Sequence, residues 1–166
     1  MIEESASVRL AVQEDVPALV GLMLEFYAEA GLELEAARAG RTFERLLSLP
    51  AVGGVWLMLV DNVPAGYAVL TVAFSMEYGA LRGFVDDLFV APRFRRIGLA
   101  TAALEQIKTR CRALDVRALL VETSLANDAA MGAYRNVGFE KTDRLLLSMP
   151  LAPALHEDTY ERTPDA

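Results

Sequence analysis

The chain of 166 residues has one cysteine, one histidine and one tryptophan. A single cysteine, Cys111, cannot close an intrachain disulfide and suits a reducing compartment. His156 stands in a polar C-terminal stretch with no cluster of partner ligands, so no metal site and no Ser–His nucleophile pair is expected. No apolar run approaches the roughly 18 residues that a membrane span needs. The acidic start Met1-Ile2-Glu3-Glu4 is unlike a signal peptide, and a cytoplasmic protein is expected. A net charge of −7 disfavours nonspecific nucleic-acid binding. No internal repeat or low-complexity segment occurs. The loop G-x-x-x-x-G-K-[ST] is missing, and Gly98 lacks the companion glycines of a dinucleotide fingerprint.

What is present is a globular composition, 54% hydrophobic and 23% charged, which predicts one folded domain over 1–151 and a polar tail over 152–166. Ser7–Ala11 reads as a short strand. Asp15 is a candidate N-cap with Pro17 just inside a helix whose apolar residues Val16, Leu19, Val20, Met23, Tyr27 and Ala30 recur at helical spacing. Gly31 ends it, and a second helix, about Leu34–Leu49, stops before Pro50. Gly54–Val60 and Ala65–Phe74 form a hairpin around Asp61-Asn62-Val63-Pro64. Ser75–Arg82 reads as a loop, Gly83–Val90 as a strand and Gly98–Leu114 as a helix with Ala103, Ile107, Cys111 and Leu114 inward. Cys111 is therefore core rather than nucleophile. Ala118–Thr123 is a strand, Asn127–Val137 a helix capped by Asn127, and Lys141–Met149 is expected to hold the closing strands.

Residues 95–100, Arg-Arg-Ile-Gly-Leu-Ala, are the most informative stretch. An apolar strand, a basic turn with a glycine, and then a helix make an anion site. The first N–H groups of a helix lack intrahelical partners and carry the positive end of its dipole. Arg93, Arg95 and Arg96 add three cations within four positions, which predicts a pyrophosphate cradle.

Arg95-x-x-Gly98-x-Ala100 matches [Q/R]-x-x-G-x-[G/A], the acyl-coenzyme A motif of the GNAT N-acetyltransferase superfamily. Val85-Asp86-Asp87-Leu88-Phe89-Val90-Ala91-Pro92 resembles that family's fourth strand. Asn127-x-x-Ala130-x-x-x-Tyr134-x-x-x-Gly138-Phe139 resembles its second conserved block, and the resemblance spans roughly residues 7 to 151. Arg96 departs from the pattern, since the family commonly has glycine there, and it must adopt a backbone geometry that glycine usually supplies. The resemblance implies an α/β fold: a mixed, mostly antiparallel sheet with helices on both faces. Its fourth and fifth strands would be parallel and splayed around acetyl-coenzyme A, held as co-substrate without a metal. The ligand-binding residues would be Leu88, Phe89, Val90, Arg95, Arg96, Ile97, Gly98, Leu99, Ala100, Thr101, Asn127 and Tyr134.

The same resemblance places Tyr134 at the departing sulfur. A phenol near ~10 giving its proton to a thiolate near ~8.5 goes uphill by roughly 2 kcal/mol, so Tyr134 should act first as a hydrogen-bond donor. An amine acceptor with a pKa of about 10.4 is mostly protonated at neutral pH and needs a proton outlet. Asp86, Asp87 and Glu122 are the candidates, directly or through water. Asp86 and Asp87 should alternate across the sheet. A backbone N–H of Leu88–Val90 would hold the oxyanion. Residues 1–50 carry nine acids against four arginines, which suggests a small cationic amine as acceptor. Protein or peptide amines, and a non-catalytic acyl-coenzyme A sensor, are the alternatives, and a homodimer is left open.

Overall fold

The structure, a computed structural model, describes residues 5–124 and 127–156. Among the described residues, five strands form one sheet in chain order: β1 (Ala6–Leu10), β2 (Gly53–Val60), β3 (Val63–Ser75), β4 (Ala80–Val90) and β5 (Ala118–Val121). The first four pair antiparallel, and β4 pairs β5 in parallel. Helix α1 (Val16–Glu29) and helix α2 (Ala36–Leu47) join β1 to β2. Helix α3 (Leu99–Ala113) makes the crossover from β4 to β5, and α4 (Asp128–Asn136) follows β5. A parallel pair needs such a crossover, whereas the β2–β3 hairpin needs only Asp61 and Asn62, both at positive φ. This is the mixed α/β sheet that the element order predicts.

Alternation along β2 and β3 builds two cores. Val55, Leu57, Tyr67 and Val69 face α1 and α2, where Leu19, Leu22, Met23 and Phe43 pack on them. Trp56, Met58, Ala68 and Leu70 face α3, against Leu99, Ala103, Ile107 and Cys111. A third cluster joins Val85 and Leu104 to Tyr134 and Val137 of the α4 region. Cys111 is buried, as its helical spacing predicts.

Three expectations are corrected. Asp15 holds the N-cap position of α1 with Pro17 just inside, but its side chain makes no capping bond: the carboxylate turns back to accept the Val12 N–H at 2.8 Å and both Arg9 Nη groups at 2.7 and 2.8 Å. β4 begins at Ala80, because Ser75 pairs with Ala80 across a tight turn closed by Gly79 at φ +61°. Residues 141–149 form no strand. Arg144 of this segment instead reaches the β3–β4 hairpin, making a two-pronged ion pair with Glu77 at 2.7 and 2.8 Å. A strand requires a hydrogen-bonded neighbour, and none of the five lies along this segment. Its Leu145, Leu147 and Met149 are about four-fifths exposed. Of the tail, Leu155 packs on the α1/α2 core and the His156 ring lies 5.8 Å from that of Tyr27. Glu3, Glu4 and residues 157–166 lie outside the described residues.

Candidate active site

The parallel pairing of β4 with β5 ends at Val85–Val121, while β4 continues to Val90. Residues 86–90 therefore have a sheet neighbour only on the β3 side, so the two strands separate where the sequence predicts a cleft. The turn 91–98 lies just beyond this opening and leads into α3.

That turn has the conformation the sequence demands. Gly98 is the N-cap of α3 at φ +87°, with no side chain capping the helix. The first intrahelical bond of this turn runs from the Ala102 N–H to the Gly98 carbonyl at 2.9 Å, so the N–H groups of Leu99, Ala100 and Thr101 remain open to an anion. Arg96 sits at φ +67°, the left-handed geometry expected where glycine is commoner. A non-glycine residue held there marks a strained turn of the kind found at ligand sites. The three arginines have different tasks. Arg95 donates from Nε to the Val90 carbonyl at 2.8 Å and pairs with Glu29 at 2.6 Å. Arg93 pairs with Glu25 at 3.6 Å. Among the described residues only Arg96 of the three makes no ion pair. The expected three-cation cradle thus reduces to one uncommitted guanidinium plus the helix N–H groups.

On β4 the register changes: Val69 faces Asp87, but Leu70 faces Val85. Asp86 is the extra residue of a β-bulge, and strict alternation fails there. The Tyr67 hydroxyl donates to Asp87 Oδ2 at 2.8 Å, and Tyr67 belongs to the α1/α2 core. Asp86 lines a cleft with α2 residues. Both carboxylates thus face the α1/α2 side, which corrects the expected division between faces. Burial pushes the Asp87 carboxyl above its ordinary range, the Tyr67 bond pulls it back, and neighbouring Asp86 raises it further.

Around Asp87 stand three tyrosines. Burial first, then the charge of Asp87, raises Tyr67 far above an ordinary phenol. Tyr27 is raised by burial and by both aspartates. Tyr134 is pushed up to about 12 by burial and by Asp87. The structure thus brings Asp87 and Tyr134 near one another at the strand opening, while Asp86, next to Asp87 in the chain, lines the α2-side cleft. Glu122, one residue beyond β5, is exposed and not among the charges acting on these tyrosines. Asn127 caps α4, its Oδ1 accepting the Ala130 N–H at 3.1 Å.

Sequence reading missed Tyr67, and it assigned Tyr27 to the core alone. Tyr67 faces Phe89 in register and reaches Asp87 diagonally across the two strands, a contact that the order of residues alone does not reveal. It also missed the α2 wall of the cleft, which has a volume of about 700 Å³ and is lined by Arg38, Arg41, Thr42, Arg45, Thr71 and Asp86 among others. Among the described residues, none of the acids of residues 5–50 lines it. Glu25 and Glu29 instead pair with Arg93 and Arg95 of the turn 91–98.

Residues 18–139 match the acetyltransferase (GNAT) family. Aminoglycoside N(6')-acetyltransferase type 1 of Stenotrophomonas maltophilia is 28% identical over 160 residues, 93% of this chain and 99% of that one. Among solved structures, the integron cassette protein HFX_CASS3, from the mobile metagenome of Cole Harbour Salt Marsh, is 51% identical. It superposes with a TM-score of 0.84, covering 90% of this chain and 93% of that one. Aminoglycoside N-acetyltransferase AAC(6')-Iy, solved in complex with coenzyme A, shares the fold at 17% identity and a TM-score of 0.77, covering 90% and 97%. With the strand opening, the α3 turn and the family match in agreement, the chain belongs to the GNAT acetyltransferases.

Proposed function

We propose that the protein transfers acetyl from acetyl-coenzyme A to the primary amine of a small molecule by direct attack in a ternary complex. The observation that carries this is one opening, between β4 and β5 beyond Val85–Val121, with an anion-ready helix start beyond one end and two carboxylates at its base. In this reading the open N–H groups of Leu99, Ala100 and Thr101, with Arg96, hold the pyrophosphate. Backbone of Leu88–Val90 lies along the pantetheine arm, and one of its N–H groups faces the thioester oxygen.

The acceptor enters from the α2 side as an ammonium ion beside Asp86. One proton passes to Asp87, whose burial raises its pKa and so favours its protonated form, and leaves to solvent. The freed nitrogen attacks the carbonyl carbon, the C–N bond forms and the C–S bond breaks. The second nitrogen proton ends on the sulfur. Tyr134 donates a hydrogen bond to the sulfur as charge develops. With its pKa near 12, full proton transfer to a thiolate near ~8.5 would be uphill by about 5 kcal/mol, so it donates without ionising. Asp87→Asn tests the assignment: kcat should fall by about two orders of magnitude with coenzyme A affinity unchanged. Unchanged kcat would transfer the proton to Asp86 or water.

The curated relatives, both aminoglycoside acetyltransferases by name, support a cationic acceptor as a second reading. We also infer a homodimer. The exposed side chains Phe74, Met76 and Tyr78 of the β3–β4 hairpin, with Leu145, Leu146, Leu147, Met149 and Leu151, lie on segments bound by the Arg144–Glu77 pair. Together they present on the order of 1,000 Å² of mostly apolar surface, more than a monomer usually leaves open and comparable to one side of a stable interface.

A further inference from the structure

We propose that the acceptor carries an oxyanion, a carboxylate or phosphate, beside its amine, and that Arg41 and Arg45 of α2 bind it. This rests on the amine-acetylating reading and narrows it. Arg38, Arg41 and Arg45 recur at i, i+3 and i+7, which aligns them along one face of α2, while Ala39 and Phe43 bury the other. The arginine face forms one wall of the 700 Å³ cleft, and Asp86 and Thr71 stand on the sheet side. Arg38 is engaged, its Nη2 donating to the Ala154 carbonyl at 3.2 Å, so it closes the end of the cleft toward the tail. The guanidinium groups of Arg41 and Arg45 make no ion pair or hydrogen bond among the described residues.

This is the reverse of the charge that a polycation would select. The chain carries a net −7, yet among the described residues the cleft beside the proposed reaction centre is lined by three arginines and one acid, Asp86. Asp86 can receive an ammonium group. The arginines opposite would repel a second one, whereas their planar forks match carboxylate or phosphate oxygens in pairs. The cleft also stands on the opposite face of the sheet from α3, so its arginines are not part of the pyrophosphate turn.

The test is calorimetric titration of the coenzyme A-loaded full chain with β-alanine, L-glutamate, O-phosphoethanolamine, ethanolamine, butane-1,4-diamine and neamine. The same titrations are made with Arg41→Ala/Arg45→Ala. Both arginines are exposed, so the variant should fold, and an unchanged melting temperature checks this. At least one oxyanion-bearing amine should bind ten or more times tighter than ethanolamine. The double variant should abolish that difference while leaving coenzyme A affinity within twofold. The ranking of β-alanine and glutamate against phosphoethanolamine separates carboxylate from phosphate. Tighter binding of the diamine or neamine, no binding of any oxyanion amine, or equal affinity in the variant would overturn the proposal. Loss of coenzyme A binding in the variant would overturn it too, by assigning the arginines to the donor. Arginine-dependent binding without acetyl transfer would leave this inference standing and defeat the transferase reading instead.

Discussion

The Tyr67 hydroxyl donates a 2.8 Å hydrogen bond to Asp87 Oδ2, joining β3 to β4 just past the bulge at Asp86. The bond leaves Oδ1 as the oxygen that can take a proton. It also fixes the carboxylate among Tyr27, Tyr67 and Tyr134, all three of which feel its charge. Phe43 and Phe89 pack near the Tyr67 ring, with centroids at 5.6 and 6.4 Å, so the donor is held from its own side.

Tyr67→Phe keeps the ring and removes the donor, so stability at pH 7 should fall by about 1–3 kcal/mol in urea unfolding. The pH dependence has a definite sign. Asp87 is raised above its unfolded value, so the native state holds a proton that the unfolded state has released, and stability falls as pH rises through that window. Without Tyr67 the carboxyl rises further, so the difference between wild type and variant should shrink as pH falls through the titration of the folded Asp87 carboxyl. An equal difference above and below that titration would reduce Tyr67 to packing.

Tyr134→Phe should lower kcat between tenfold and a thousandfold with coenzyme A affinity little altered, because the hydroxyl acts on charge that develops at sulfur. The wild-type kcat profile should show no tyrosine ionisation below about pH 10, given a pKa pushed up to about 12. Unaltered turnover in the variant would leave Tyr134 as a packing residue against Phe139, whose ring centroid lies 5.5 Å away.

Gly98→Val meets no atom within 4 Å of the added Cβ, so its effect must come from the backbone at φ +87°. The left-handed conformation should cost about 1–2 kcal/mol, and more with a β-branched side chain. Coenzyme A affinity should fall at least tenfold by calorimetry as the turn shifts. Affinity within twofold of wild type would remove the turn from the donor site.

How far the sequence could be read follows from what kind of signal each feature leaves. The strand–turn–helix around Gly98 and the cap at Asn127 were legible because they are local: the residues that need special geometry are the residues that adopt it. Arg96 at φ +67° was foreseeable for the same reason. The bulge was not, since one extra residue on β4 leaves the apolar pattern of Phe84–Val90 intact while turning Asp86 to the face of Asp87. Nor was the fate of the acidic residues, because the Glu29–Arg95 pair joins positions 66 apart in the chain. A count of charges over residues 1–50 suggested an acidic acceptor wall; three-dimensional pairing placed two of those acids, Glu25 and Glu29, on the arginines of the turn 91–98, and set arginines along the cleft.

Leu145→Lys/Leu147→Lys puts charge into the exposed apolar segment and leaves the Arg144–Glu77 pair in place. Sedimentation of wild type should give a dimer, and the double variant should be mainly monomeric at the same concentration. A monomeric wild type would contradict the homodimer.

The central claim is acetyl transfer to a small amine, and the most direct measurement is product analysis with acetyl-coenzyme A and a panel of amines, amino acids and peptides. Mass spectrometry should find one acetyl group on the nitrogen of a small amine, with free coenzyme A released in equal amount. Turnover should fall by about two orders of magnitude in Asp87→Asn. Saturable coenzyme A binding with no acetylated product from any acceptor would contradict the account and make the protein an acyl-coenzyme A sensor. Acetylation confined to peptides would contradict its choice of acceptor.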